Sequence, residues 1–144
     1  MEKIIIDLKN WFIEYIKHRD IFLKKIIKIT QLNDNLVEVT YKENKIKYYV
    51  TPLLEDLFNQ IKKLNNNEQF NIITLNSKNN LNSCVKNWNT FSKFINLKIF
   101  FVNPYTKEHD KKWILSPFAH EKIADLKNLK QGLVSISDSI EKVK

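Results

Sequence analysis

An α/β domain on a mixed sheet is the fold class the sequence predicts, on three observations. Apolar residues recur at helical spacing at both ends of the chain, alternate at strand spacing over residues 26–50, and run almost unbroken over 97–102. Alternation marks a sheet with one wet face, and an unbroken run marks a strand covered on both faces. With 144 residues the chain can bury one hydrophobic core and is short for two, so a single domain over 1–144 is expected.

In chain order, Ile5, Leu8, Phe12, Tyr15, Ile16, Phe22 and Leu23 repeat every three or four positions and predict an amphipathic helix over 3–24. The period then drops to two. Ile27 and Ile29, Val37, Val39 and Tyr41, then Ile46, Tyr48 and Val50 alternate with polar residues, punctuated by Asn33-Asp34-Asn35 and Glu43-Asn44. Those turn residues between alternating runs predict a three-stranded antiparallel meander. Thr51-Pro52 reads as a helix start, Thr capping and Pro first, with Glu55 and Asp56 favourable to the dipole. Leu53, Leu54, Leu57, Phe58, Ile61 and Leu64 give this helix its apolar stripe, and Asn65-Asn66-Asn67 stops it.

A β-α-β unit is expected next. It comprises a strand over 70–75, a polar loop over 76–80, a helix over 83–94 buried through Val85, Trp88, Phe91 and Ile95, and a strand over 97–102. Two strands joined by one helix should lie parallel with a right-handed crossover. A charged loop, a short strand over 113–115 and the break Ser116-Pro117 follow. Leu126, Leu129, Leu133, Ile136, Ile140 and Val143 predict a C-terminal helix. Gly132, the only glycine, falls inside it, where close packing or a helix start would justify it.

Composition narrows the chemistry. One cysteine, Cys84, excludes an intramolecular disulfide and a multi-cysteine zinc site. No apolar run reaches a membrane span, and Glu2 and Asp7 interrupt the first one, so a soluble, intracellular, cytoplasmic protein is expected. The net charge of +8 points to a polyanionic partner. Against that, the cations are 23 Lys and the single Arg19, beside 18 Asn and 19 Ile, a composition that A/T-rich codons alone would favour. Residues 1–72 carry a net +2 and residues 73–144 a net +6. Between Asn76 and Lys112, seven Lys face only Glu108 and Asp110, interleaved with Trp88, Phe91, Phe94, Phe100, Phe101 and Tyr105. A nucleic-acid partner would therefore meet Lys78, Lys86, Lys93, Lys107, Lys111 and Lys112, with Lys86, Asn89 and Lys93 as one helical stripe. Asn80, Asn82 and Ser83, ahead of a helix, read either as an anion loop or as an ordinary N-cap. The loops 76–82 and 103–106 leave the carboxyl ends of the parallel strands, where open α/β sheets take ligands. His109-Asp110 and the group His120, Glu121 and Asp125 are weighed as metal-binding or proton-transferring groups against structural histidines, and Cys84 as a low-pKa thiol against a small buried side chain. No metal site is read from the residues themselves.

Helix, three antiparallel strands, helix, strand, helix, strand is an order that resembles the core of the restriction-endonuclease-like, PD-(D/E)xK superfamily, over roughly residues 3–102. The resemblance implies a carboxylate on the second strand, met here by Glu38, and an acid-x-Lys triplet, met by Glu43-Asn44-Lys45, together holding Mg²⁺ and an attacking water. Glu43-Asn44 itself reads as a hairpin turn. Three functions stay open: a non-enzymatic nucleic-acid or nucleoprotein binder, a divalent-metal-dependent nuclease using Glu38, Glu43 and Lys45, and a structural module acting as a homodimer or on a protein partner. Only the nuclease needs a cofactor, Mg²⁺.

Overall fold

A computed structural model describes residues 2–123 and 126–143. Helix α1 (Glu2–Leu23) precedes a six-stranded sheet whose strands lie side by side in chain order: β1 (Ile26–Asn33), β2 (Leu36–Tyr41), β3 (Lys45–Val50), β4 (Phe70–Leu75), β5 (Lys98–Val102) and β6 (Lys112–Leu115). Strands β1 to β3 form the antiparallel meander, β4 adds parallel to β3 and β5 parallel to β4, and β6 closes the far edge antiparallel. The mixed α/β class, with the meander first and the parallel strands after, is thus as the sequence predicts.

Alternation along the strands separates two cores. Tyr48, Val50, Ile73, Leu75, Phe100 and Val102 face α1 through Leu8, Phe12 and Ile16. Tyr49, Phe70, Ile72, Ile99, Phe101, Trp113 and Leu115 face the opposite layer. That layer holds a 3₁₀ turn (Leu54–Leu57) running into α2 (Phe58–Ile61), then α3 (Lys78–Lys86), α4 (Trp88–Phe91), α5 (Pro117–Ile123), a second 3₁₀ turn (Leu126–Asn128) and α6 (Leu129–Ser137). Burying one face of the sheet on each side forces this three-layer arrangement. No helix among the described residues is long and apolar enough to cross a membrane.

Several predicted elements are corrected, each for a local reason. The helix expected from Pro52 with Thr51 as its cap starts later. The Thr51 N–H bonds the Ile73 carbonyl (3.0 Å) and so extends the sheet, while its hydroxyl donates to the Leu53 carbonyl (3.1 Å). The Leu54 N–H is instead satisfied by Asn80 Oδ1 at 2.9 Å. The helix expected over 83–94 begins at Lys78, with Ser77 rather than Asn82 or Ser83 as cap, and breaks at Asn87, whose side-chain amide donates to the Ser83 carbonyl (3.0 Å) and competes with the helical ladder. Ile95 lies past α4 and is 49% exposed, its core place taken by Phe94. Phe22, counted in the first helical stripe, is 87% exposed in the last turn of α1, which Lys24, in the left-handed region (φ 50°), closes. Ile27 is exposed at a register shift in β1. The last helix stops at Ser137 and a turn over 138–140 follows, the Ile140 N–H donating to the Ser137 carbonyl (3.3 Å), so Ile140 and Val143 lie beyond the helix. Pro117 begins a helix, α5, instead of only breaking the chain. Gly132 is the fourth residue of α6, which begins near it at Leu129, and nothing stands within 4 Å of where a Cβ would be, so close packing does not explain it.

Candidate functional site

The residues that the nuclease resemblance assigns do not all converge. Glu38 stands opposite Lys47 in the β2–β3 register and shares a cleft of about 370 Å³ with Lys45, Lys47 and Glu68. Glu43 lies in the hairpin turn and lines a different hollow, with Lys25, Tyr41 and Ile46. Strand alternation is the cause: Lys45 and Lys47 share a face with Glu38, whereas Ile46 and the hollow beside Glu43 belong to the other. Among the described residues, no three His, Cys, Asp or Glu side chains are grouped so as to hold a metal ion.

The anion loop is occupied by structural work. Asn80 is 1% exposed. Its Oδ1 accepts from the Leu54 N–H, and its Nδ2 donates to the Pro52 and Leu75 carbonyls (both 2.9 Å) and to Thr74 Oγ1 (3.0 Å). Asn82 is exposed within α3, and the Ser83 carbonyl accepts from Asn87. The carboxyl edge of β4 and β5 is filled by the chain's own tail. Asn76 Nδ2 donates to the Ser137, Ile140 and Glu141 carbonyls (3.3, 3.0 and 3.4 Å), its Oδ1 accepts from Trp113 Nε1 (2.9 Å), and its carbonyl accepts the Val143 N–H (2.9 Å). Asn103 Nδ2 donates to the Glu141 carbonyl (3.0 Å) and the Thr106 hydroxyl to its carboxylate (2.6 Å).

The remaining candidates sort plainly. Trp88 is core, 5% exposed, with its indole N–H donating to the Glu121 carboxylate and the His120 ring edge-on to it at 5.6 Å. Asp125 lies outside the described residues. His109 and Asp110 are exposed in the β5–β6 loop. Cys84 is buried, and burial pushes its thiol up to about 12, the reverse of a reactive thiolate.

The six lysines divide between the two faces of the sheet. Lys78 and Lys86 ride on α3, and Lys93 follows α4, all on the layer opposite α1. Lys86, Asn89 and Lys93 are exposed as expected, although the break at Asn87 means no single helix carries them. Lys112, paired with Val102, points to the α1 side instead, where its Nζ lies 5.1 Å from the centre of the Tyr15 ring. Arg19 reaches the same ring, its guanidinium carbon 5.6 Å from the centre and its Nη1 donating to the Tyr15 hydroxyl (3.4 Å). Tyr15 stacks on Trp11 (5.0 Å, 12° between planes) and stands edge-on to Phe100 (5.9 Å). The loop carrying Lys107 and Lys111 is tied to α1 by the Tyr105 hydroxyl, which donates to Asp7 Oδ2 (2.8 Å). Two cations and two half-exposed aromatics thus meet on one surface, with two further lysines on the loop beside it.

Sequence reasoning missed Trp11, Tyr15 and Arg19 as a set. Their signal was present: positions i, i+4 and i+8 share one helix face, and Arg19 is the chain's only arginine. No protein-family model, curated protein or solved structure matches the chain.

Proposed function

We propose that the chain binds nucleic acid through the α1 face, without catalysing a reaction on it. The observation that carries this reading is the convergence of Arg19 and Lys112 on the stacked Trp11–Tyr15 pair. Cations held beside aromatic surface offer a single strand its two generic handholds, charge for phosphate and π-surface for bases. Arg19 adds a planar fork that binds phosphate bidentately, which a lysine does not. Lys107 and Lys111 extend the positive surface, while Glu108 and Asp110 on the same loop weaken it. Binding in the micromolar range, steeply salt-dependent and with little sequence preference from the charges themselves, follows from so few phosphate contacts.

Titration of labelled single-stranded and duplex oligonucleotides across salt tests the reading. Tryptophan emission should change on binding, because Trp11 lies in the contact. Failure to bind either form near ~50 mM salt, where few-contact electrostatic binders hold best, would refute it and leave a structural module with compositional basicity.

A further inference from the structure

Under the same face lies a small cavity that neither the nucleic-acid reading nor the fold requires. It has a volume of about 110 Å³ and sits between α1 and the sheet. Its floor is buried and aromatic or aliphatic (Phe12, Ile16, Tyr48 and Phe100), and its rim is the exposed set Arg19, Leu23 and Lys25. Building on the nucleic-acid reading, we propose that this cavity takes one unstacked pyrimidine base of a bound single strand, with Arg19 holding the adjoining phosphate.

Size, polarity and charge each point there. A closed apolar cavity of about 150 Å³ holds a benzene ring. At about 110 Å³ with an open rim, this cavity takes a pyrimidine ring only in part, the rest of the base lying at the mouth, and a fused purine fits less well still. The floor is apolar except for two hydroxyls, Tyr41 and Tyr48, hydrogen-bonded to each other at 2.8 Å. Asn71 stands beside Tyr48 across the β3–β4 register, and its Oδ1 accepts the Lys98 N–H (3.1 Å). The two phenols share one bond and carry two protons, so one proton is left over in the cavity wall whichever of them donates. Both hydroxyls are protonated at neutral pH, as phenols are, and burial raises them further. That proton matches the carbonyl oxygen every pyrimidine base carries beside its sugar-bearing nitrogen. At the rim, Asp20, whose Oδ1 accepts from the Lys25 and Ile26 backbone N–H groups (2.7 and 3.1 Å), sets one carboxylate against the two cations Arg19 and Lys25. Arg19 and Lys25 leave the mouth cationic.

The experiment compares oligothymidylate, oligodeoxyadenylate and an abasic strand of equal length, on the intact chain and on Tyr41→Phe/Tyr48→Phe, which removes both phenol protons where either single change would leave one. Thymidylate should bind about ten-fold tighter than either of the others, the range of a single accommodated base. The double variant should lower thymidylate affinity about three- to ten-fold, the loss of one hydrogen bond, without changing the salt slope or adenylate affinity. Adenylate's own stiffness acts equally on both proteins, so the variant isolates the cavity. Equal affinity for thymidylate and adenylate, both above the abasic strand, or a thymidylate preference untouched by the double variant, would overturn the pocket and leave the binding surface standing. No binding to any strand would overturn both.

Discussion

Single side chains decide where this fold is tight and where it is slack. Gly132 is slack: it sits exposed within α6 and its missing Cβ would touch nothing. Gly132→Ala should therefore raise stability by about 0.5–1 kcal/mol, as helix propensity and reduced unfolded-state freedom both require. An unchanged denaturation midpoint would mean α6 is not helical there. Asn80 is the opposite case. Its one side chain satisfies the Leu54 N–H, two carbonyls and a hydroxyl, all buried. Asn80→Ala should cost at least about 3 kcal/mol through these stranded partners. Asn80→Asp, nearly the same shape, should also destabilise, because a carboxylate cannot donate to the Pro52 and Leu75 carbonyls. If Asn80→Asp melted like the parent, the bonds would not be structural and the anion-loop role would return. Sequence could not distinguish these roles, since a polar Asn before a helix looks the same whether its partners are an anion or a loop twenty-six residues away.

At the level of elements, legibility followed burial. The meander, the two parallel strands and the first helix were readable because their period is imposed by a face packed against the sheet. Boundaries were not, because they depend on partners far along the chain. The start after β3 is set by Ile73 and Asn80, and the end of α6 by Asn76. The apolar period ran on through Ile140 and Val143, yet Asn76 draws the carbonyls of Ser137, Ile140 and Glu141 to the sheet edge and ends the helix. Asn76→Ala should release that tail. Amide exchange over residues 138–143 should speed up well beyond that of β4 and β5, and Trp113 should lose its indole partner. Equal protection in parent and variant would show that Ile140 packing, the Asn103 and Thr106 bonds to Glu141 and the Val143 backbone bond hold the tail without the Asn76 side chain.

Across the whole molecule, buried acids set the alkaline limit. Cys84 is raised by burial from 9.0 to about 12, and Tyr41, Tyr48 and Tyr49 are raised above 10.0, burial being the largest cause for each. A raised folded pKa means the unfolded chain loses its proton first. Stability is therefore unaffected by these groups below pH 9 and falls above it, by about 1.4 kcal/mol per pH unit for each group titrating only when unfolded. A chemical-denaturation series showing constant stability from pH 8 to pH 11 would contradict that burial. The candidate surface was the least legible part. The charge count pointed to the C-terminal half, and Lys112 does come from it, but Trp11, Tyr15 and Arg19 come from α1 and meet it only through the fold. Composition locates cations along the chain, whereas a sheet between two layers sends Lys86 and Lys93 to the opposite side. That separation offers the most direct measurement: the salt dependence of oligonucleotide binding for Arg19→Gln/Lys112→Gln beside Lys86→Gln/Lys93→Gln. The first pair should lower the slope by up to about 1.4 units on single strands, at about 0.7 per phosphate contact, and the second should leave it near that of the parent. The reverse pattern, with the α3–α4 pair lowering the slope and the α1-face pair silent, would contradict binding at the Tyr15 cluster.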